Sequence, residues 1–160
     1  MHAGSADDAV TFRSIYPSLR RFAAVVGPLE DEPDDLLQEA VARTLRRTSL
    51  SALDDPERYL QTVMIRLASN RRRALGTMRR ALARAGTPTV TAAAAAEFPS
   101  DVADLFHLPP QTRALLFLVE VEGWPFRDAA RVVGCTEEAA RARASRALRQ
   151  LRAELIEEAR

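Results

Sequence analysis

At 160 residues with 47% hydrophobic positions, the chain suits one large packed domain or two small ones. A single cysteine, Cys135, excludes an internal disulfide and a multi-cysteine metal site, and no apolar run is long enough to cross a membrane. Net charge is only +1, but lysine is absent, so all 23 basic residues are arginine.

Those arginines gather at Arg66 to Arg84 and Arg141 to Arg152, while acids gather at Glu30 to Glu39. Arginine-favouring codon usage accounts for missing lysines but not for the clustering. A guanidinium is a rigid fork of donors suited to phosphate and to guanine. Aromatics make up only 6%, glycine is sparse, and alternating β-branched residues are hard to find, so the expectation is all-helical. The first residues lack a basic start followed by a hydrophobic stretch, so no export signal is expected and the cytoplasm is the expected location.

From Phe12 the apolar positions Phe12, Ile15, Tyr16, Leu19, Phe22, Ala23 and Val26 form one helical stripe, stopped by Gly27-Pro28. A second helix opens at Pro33, with Asp34 and Asp35 at its positive end. Leu37, Val41, Thr44 and Leu45 are its expected inner face, while Asp35, Gln38 and Glu39 share another, exposed face. Ser49 to Asp55 reads as a loop. Asp55-Pro56 then caps a third helix with Leu60, Val63, Met64 and Leu67 inward and a polar stripe of Thr62, Arg66, Ser69, Asn70 and Arg73 elsewhere. It runs into Arg71-Arg72-Arg73 and on toward Arg84.

Residues 86–100 break the pattern with Thr-Pro-Thr, five alanines and Phe98-Pro99-Ser100, and read as a flexible linker between helical domains at 1–85 and 101–160. In the second domain, Val102, Leu105, Phe106 and Leu108 make a short helix ended by Pro109-Pro110. Gln111 to Glu122 reads as an apolar helix, and Gly123-Trp124-Pro125 punctuates it. Phe126, Ala129, Ala130 and Val133 form the next stripe. Gly134 sits as a helix-ending glycine and Thr136 as the N-cap of a last long helix. On that helix Ala140, Ala144, Ala147, Leu148, Leu151 and Leu155 share one arc; Arg141, Arg143, Ser145, Arg146 and Arg149 occupy the rest. A short helix, a glycine turn and an arginine-faced helix read as a helix-turn-helix. A solvated outer face of a bundle helix is the other reading of the arginines alone.

The stretch from Leu108 to Leu155, LPPQTRALLFLVEVEGWPFRDAARVVGCTEEAARARASRALRQLRAEL, resembles the promoter-reading domain of extracytoplasmic-function sigma factors of bacterial RNA polymerase. The family's Leu-Pro, apolar helix, Glu-Gly pair, helix-turn-helix and Arg-Ala ending fall at Leu108-Pro109, Ala114 to Val121, Glu122-Gly123, Phe126 to Arg152 and Arg146-Ala147. The earlier blocks YPSLRRFA, DDLLQEAVARTLRR and DPERYLQTVMIRLASNRRR look like the same family's first domain. The order is the family's own, and the blocks span most of the chain.

The resemblance implies two helical domains, sigma region 2 over 1–85 and sigma region 4 over 101–160, binding core RNA polymerase and promoter DNA. It implies that Asp35, Gln38 and Glu39 face a coiled coil of the polymerase's largest subunit. It implies a minus-ten surface of Thr62, Arg66, Ser69, Asn70 and Arg73 beside the Ser49 to Asp55 loop. The last helix would read the minus-thirty-five element, with Arg141, Ser145 and Arg146 toward base edges and Thr136, Arg143 and Arg149 toward phosphates. Tyr59, Arg66 and Asn70 depart from the Trp, Asn and Asp that many members carry. Anti-sigma partners are common in the family. The uncharged Thr87 to Ala96 segment does not suit an electrostatic mimic of RNA.

No glycine-rich phosphate loop, catalytic triad, metal-ligand cluster or cofactor motif stands out, and His2 and His107 are isolated, so an enzyme is not expected. Cys135 reads as a small buried residue and Trp124 as an anchor for the preceding turn. Two other classes remain open at this point. One is a free-standing helix-turn-helix regulator. The other is a sigma-like decoy that holds polymerase without initiating.

Overall fold

The computed structural model describes residues 3–86 and 100–158, and every regular element among them is helical. The linker expected over 86–100 lies, from 87 to 99, outside the described residues, as does His2.

Helix α1 spans Ala3–Val26, beginning nine residues before its first aromatic; α2 spans Pro33–Leu45 and α3 spans Pro56–Arg84. Their stripes of Leu19, Phe22, Val26, Leu36, Leu37, Ala40, Leu60 and Met64 meet in one core. A Cβ on Gly27 would lie 3.0 Å from the Ala23 carbonyl, so a side chain at the turn out of α1 would press against the end of that helix. Asp34 anchors the start of α2 to α1 by accepting from the Tyr16 hydroxyl at 2.8 Å and the Arg20 Nε at 3.3 Å. Asp55 caps α3 by accepting the Arg58 amide at 3.0 Å.

The inner face of α2 differs from expectation. Leu36 and Ala40 are buried with Leu37 and Thr44, while Leu45 is largely exposed. The helical phase is responsible: Leu36, Leu37, Ala40 and Thr44 lie in one arc, and Leu45 falls past its edge at the last turn. Thr44 enters the core because its hydroxyl donates to the Ala40 carbonyl at 2.9 Å.

After Ser100 come α4 (Ser100–His107) and α5 (Pro110–Leu116). The helix expected to continue to Glu122 instead widens into a π turn, Phe117–Val121, closed by the Glu122 amide donating to the Phe117 carbonyl at 3.0 Å. Such turns interrupt a helix with an extra residue. The Trp124 amide then donates to the Leu118 carbonyl at 2.8 Å, folding the chain toward α6 (Phe126–Val133) and α7 (Glu137–Glu158). Ala129, Ala130, Ala140, Ala144 and Ala147 are buried where α6 crosses α7; small side chains permit that close approach. Cys135 is half-buried rather than enclosed, and Leu155 is exposed because α7 has by then left the core.

The two helical groups share a single hydrophobic cluster. Phe22 of α1 meets Phe117 edge-to-face with centroids 6.1 Å apart. Arg58 lies 4.8 Å over the Trp124 ring, and Arg72 donates to the His107 carbonyl at 2.8 Å.

Arg113 joins the groups most firmly. It is 4% exposed, and its guanidinium donates to five carbonyls, those of Val25, Val26, Gly27, Phe106 and Leu108. Three of these are orphan acceptors at the negative end of α1, where a cation is favoured. Burial pushes its pKa down to about 10, with Arg72 adding to the effect, so the group keeps its charge at neutral pH.

Candidate nucleic-acid and polymerase interfaces

The turn between α6 and α7 is built by one glycine. Gly134 has φ +82°, and amides of Gly134 and Cys135 both donate to the Ala130 carbonyl, at 2.8 and 3.0 Å. Two residues later the Thr136 hydroxyl accepts the Ala139 amide at 3.1 Å and starts α7. Because Ala140, Ala144 and Ala147 face inward, the intervening positions face out. Arg141, Ser145, Arg146 and Arg149 are exposed and Arg143 half-buried.

Within this surface the arginines differ. Arg141 is held: its guanidinium donates to Glu137 at 2.7 Å and stacks 4.7 Å over Phe126. Arg146 and Arg149 have no ion pair among the described residues and project freely. Arg141, Ser145, Arg149 and Arg152 line a shallow groove floored by Phe126 and Leu148, with Glu120 at one edge.

On the first group, α3 spreads its polar stripe over two environments. Arg66, Asn70 and Arg73 are exposed, and Arg73 donates to the Asn70 side chain. Thr62 is half-buried: its hydroxyl lies 3.0 Å from the Arg58 carbonyl and 3.4 Å from the Val132 carbonyl of α6. Ser69 is buried, with no partner for its hydroxyl among the described residues. The docked second group therefore reaches Thr62 of the stripe and leaves Arg66, Asn70 and Arg73 open.

Sequence reasoning missed two features here. One is a groove of about 370 Å³ between α2 and α3, in which Arg43, Arg46, Arg47 and Arg66 surround Tyr59 and Val63. The run of arginines closing α2 is its only sequence trace; the meeting with Arg66 and Tyr59 is tertiary. A phenol flanked by four cations suits a base and its phosphates.

The other is the anchor of the expected Ser49 to Asp55 loop, which contains a single 3-10 turn, Leu50–Ala52. Asp8 pins it, accepting from the Ser49 hydroxyl at 2.6 Å and the Ser51 amide at 2.9 Å. The Ser49 hydroxyl, then the Ser51 amide, hold the Asp8 carboxyl below its usual range, outweighing the upward push of burial.

On α2, Asp35 and Gln38 are exposed, but Glu39 is half-buried and occupied. It accepts from Arg43 at 2.7 Å and from Arg71, which also reaches Asp31 at 3.0 Å. Burial pushes the Glu39 carboxyl up, yet Arg71 and Arg43 together hold it below its ordinary value. No metal-ligand cluster occurs among the described residues, and no helix there is long and apolar enough to cross a membrane.

Comparison with known proteins adds three findings. Residues 105–151 match the family model for sigma-70, region 4. The chain is 31% identical over 142 residues to the extracytoplasmic-function (ECF) RNA polymerase sigma factor EcfG of Rhodopseudomonas palustris (strain TIE-1), covering 86% of this chain and 78% of that protein. Its fold is similar to that of the sigma factor RpoE in a co-crystal structure with the anti-sigma factor NepR from Bartonella quintana, with TM-score 0.58 and 20% identity over 95% of this chain and 98% of that one.

Proposed function

The chain belongs to the extracytoplasmic-function sigma factors of RNA polymerase, and from that premise we propose that it binds core RNA polymerase and directs it to particular promoters. The observation that carries this reading is the outward arginine face of α7, presented across a glycine-built turn. That is the arrangement in which a second helix enters the major groove.

We assign region 2 to residues 1–85, a linker to 86–100 and region 4 to 101–160. In region 4, Arg141, Ser145 and Arg146 face base edges of the minus-thirty-five element, and Thr136, Arg143 and Arg149 face phosphates. In region 2, exposed Asp35 and Gln38, with Glu39 behind them, meet a basic helical partner on core polymerase. Thr62, Arg66, Ser69, Asn70 and Arg73 serve the minus-ten element. The Arg43–Arg46–Arg47–Arg66 groove around Tyr59 supports that side's taste for a single strand.

Thr62 meets DNA only after the second group moves off α3, so docking and initiation are alternative states. A protein that holds the groups together, as an anti-sigma factor would, is a fitting regulator; the Bartonella relative is seen with one. The chain acts in the cytoplasm without catalysing a reaction of its own.

Run-off transcription with purified core polymerase on a randomised promoter library tests the reading. Specific transcripts enriched for two separated elements are the expected result. Core binding without any specific transcript would make the chain a decoy. Tight duplex binding without polymerase would make it a free-standing regulator.

A further inference from the structure

The core-facing stripe of α3 does not end where the core does. Leu60, Met64 and Leu67 are buried, Arg71 follows one turn on, and the same stripe continues through Leu75, Met78 and Leu82 at helical spacing. These last three are 37%, 53% and 36% exposed. Ala74, Ala81 and Ala85 widen this arc, and arginines border it at Arg72 and Arg79 on one side and Arg84 on the other. From Arg58 to Ala96 the sequence holds no acidic residue, so no acid within this extension balances them. Gly76 also lies in the extension, where a Cβ would meet nothing within 4 Å; an unpacked helix containing glycine is marginal by itself.

We propose that the uncovered Leu75–Met78–Leu82 stripe is a docking surface for an amphipathic helix of a partner protein, with leucine-like anchors in its seam and acidic residues along its flanks. Anchors spaced three and four apart are how one helix receives another. The arginine borders specify the partner's charge. Nucleic acid would satisfy the arginines but gains nothing from three exposed apolar side chains, which is why a protein helix is the better occupant. The inference goes beyond promoter recognition and needs neither polymerase nor promoter for its test, so its failure would leave that reading intact.

The probes are three labelled designed helical peptides titrated into the full chain by fluorescence anisotropy. The first has a leucine seam flanked by glutamates, the second the same seam flanked by lysines, and the third the glutamate flanks with serines in the seam. Only the first should bind, the others falling at least about tenfold weaker, a difference near 1.4 kcal/mol. In the protein, Met78→Gln with Leu82→Gln should weaken the first peptide roughly tenfold, and so should Arg79→Ser with Arg84→Ser. Both pairs are exposed, so the thermal midpoint should not move. Equal binding of all three peptides overturns the proposal. So does a random duplex whose affinity falls in the Met78→Gln/Leu82→Gln variant, which would assign the face to nucleic acid. A wild-type dimer in sedimentation that the same variant abolishes would assign it to a second copy, and likewise overturn it.

Discussion

The Arg113 guanidinium donates to the Val26 carbonyl at 2.7 Å, so a side chain from the second helical group closes the end of the first helix of the chain. With the neighbouring bonds to Val25 and Gly27, it caps α1 from outside.

Arg113→Met should therefore cost on the order of 3 kcal/mol, because apolar replacement leaves several carbonyls unpaired rather than removing them. Arg113→Lys should recover only part of that, since an ammonium has three donors and no planar fork. Urea unfolding checks both variants. A midpoint unchanged in Arg113→Met would mean that water satisfies these carbonyls and that the cap is not a staple.

Why was this residue illegible in the sequence, when the helix-turn-helix was plain? Gly134 and Thr136 announce themselves through local backbone chemistry, and α7 through its alanine spacing. The stripes of α1 and α3 are equally local. Arg113 looks like any other arginine on an apolar helix; the three partners that tie it to α1 lie more than eighty residues away. The Arg43 to Arg66 groove and the Asp8 anchor are tertiary for the same reason, and Leu45 leaves the expected inner face because a few residues of phase decide the edge of a buried arc. Role assignments on exposed arginines rest on resemblance, since exposure by itself does not choose between a base and a phosphate.

Asp8 makes a pH prediction. Its carboxyl sits below the ordinary aspartate value of 3.8 in the folded chain. A depressed folded pKa means that the carboxylate's contribution is complete above the unfolded value and is lost as pH falls through the folded one. The Ser51 amide resonance should accordingly shift during acidification with a midpoint below that of a free aspartate, and Asp8→Ala should abolish the transition. A midpoint at or above the ordinary value would show that Ser49 and Ser51 do not hold the loop in this way.

Gly134 separates backbone from packing effects. At φ +82° a side chain is strained, yet a Cβ there would meet nothing within 4 Å. Gly134→Ala should consequently cost only the left-handed penalty, about 1–2 kcal/mol, with the helix pair retained. Thr136→Ala should cost about 1 kcal/mol through the lost cap. Thermal unfolding measures both. A loss far beyond these values in Gly134→Ala would mean that the turn rearranges rather than strains.

On α7 the contrast between a held and a free arginine sets the last expectation. Arg141 is braced by Glu137 and Phe126, whereas Arg146 projects without an ion pair among the described residues. A free guanidinium beside Ser145 can present its fork to a guanine edge, and Arg146→Ala should then cost about 1–3 kcal/mol at one base pair while other positions keep their preference. Arg149→Ala, at a phosphate, should weaken all upstream sequences alike and reduce the salt slope by about 1. Competition binding of the polymerase-bound chain to a panel of single-base promoter variants, repeated across ionic strengths, separates the two behaviours. Equal losses on every sequence in Arg146→Ala would move that residue to the phosphates and leave Arg141 and Ser145 to read the bases.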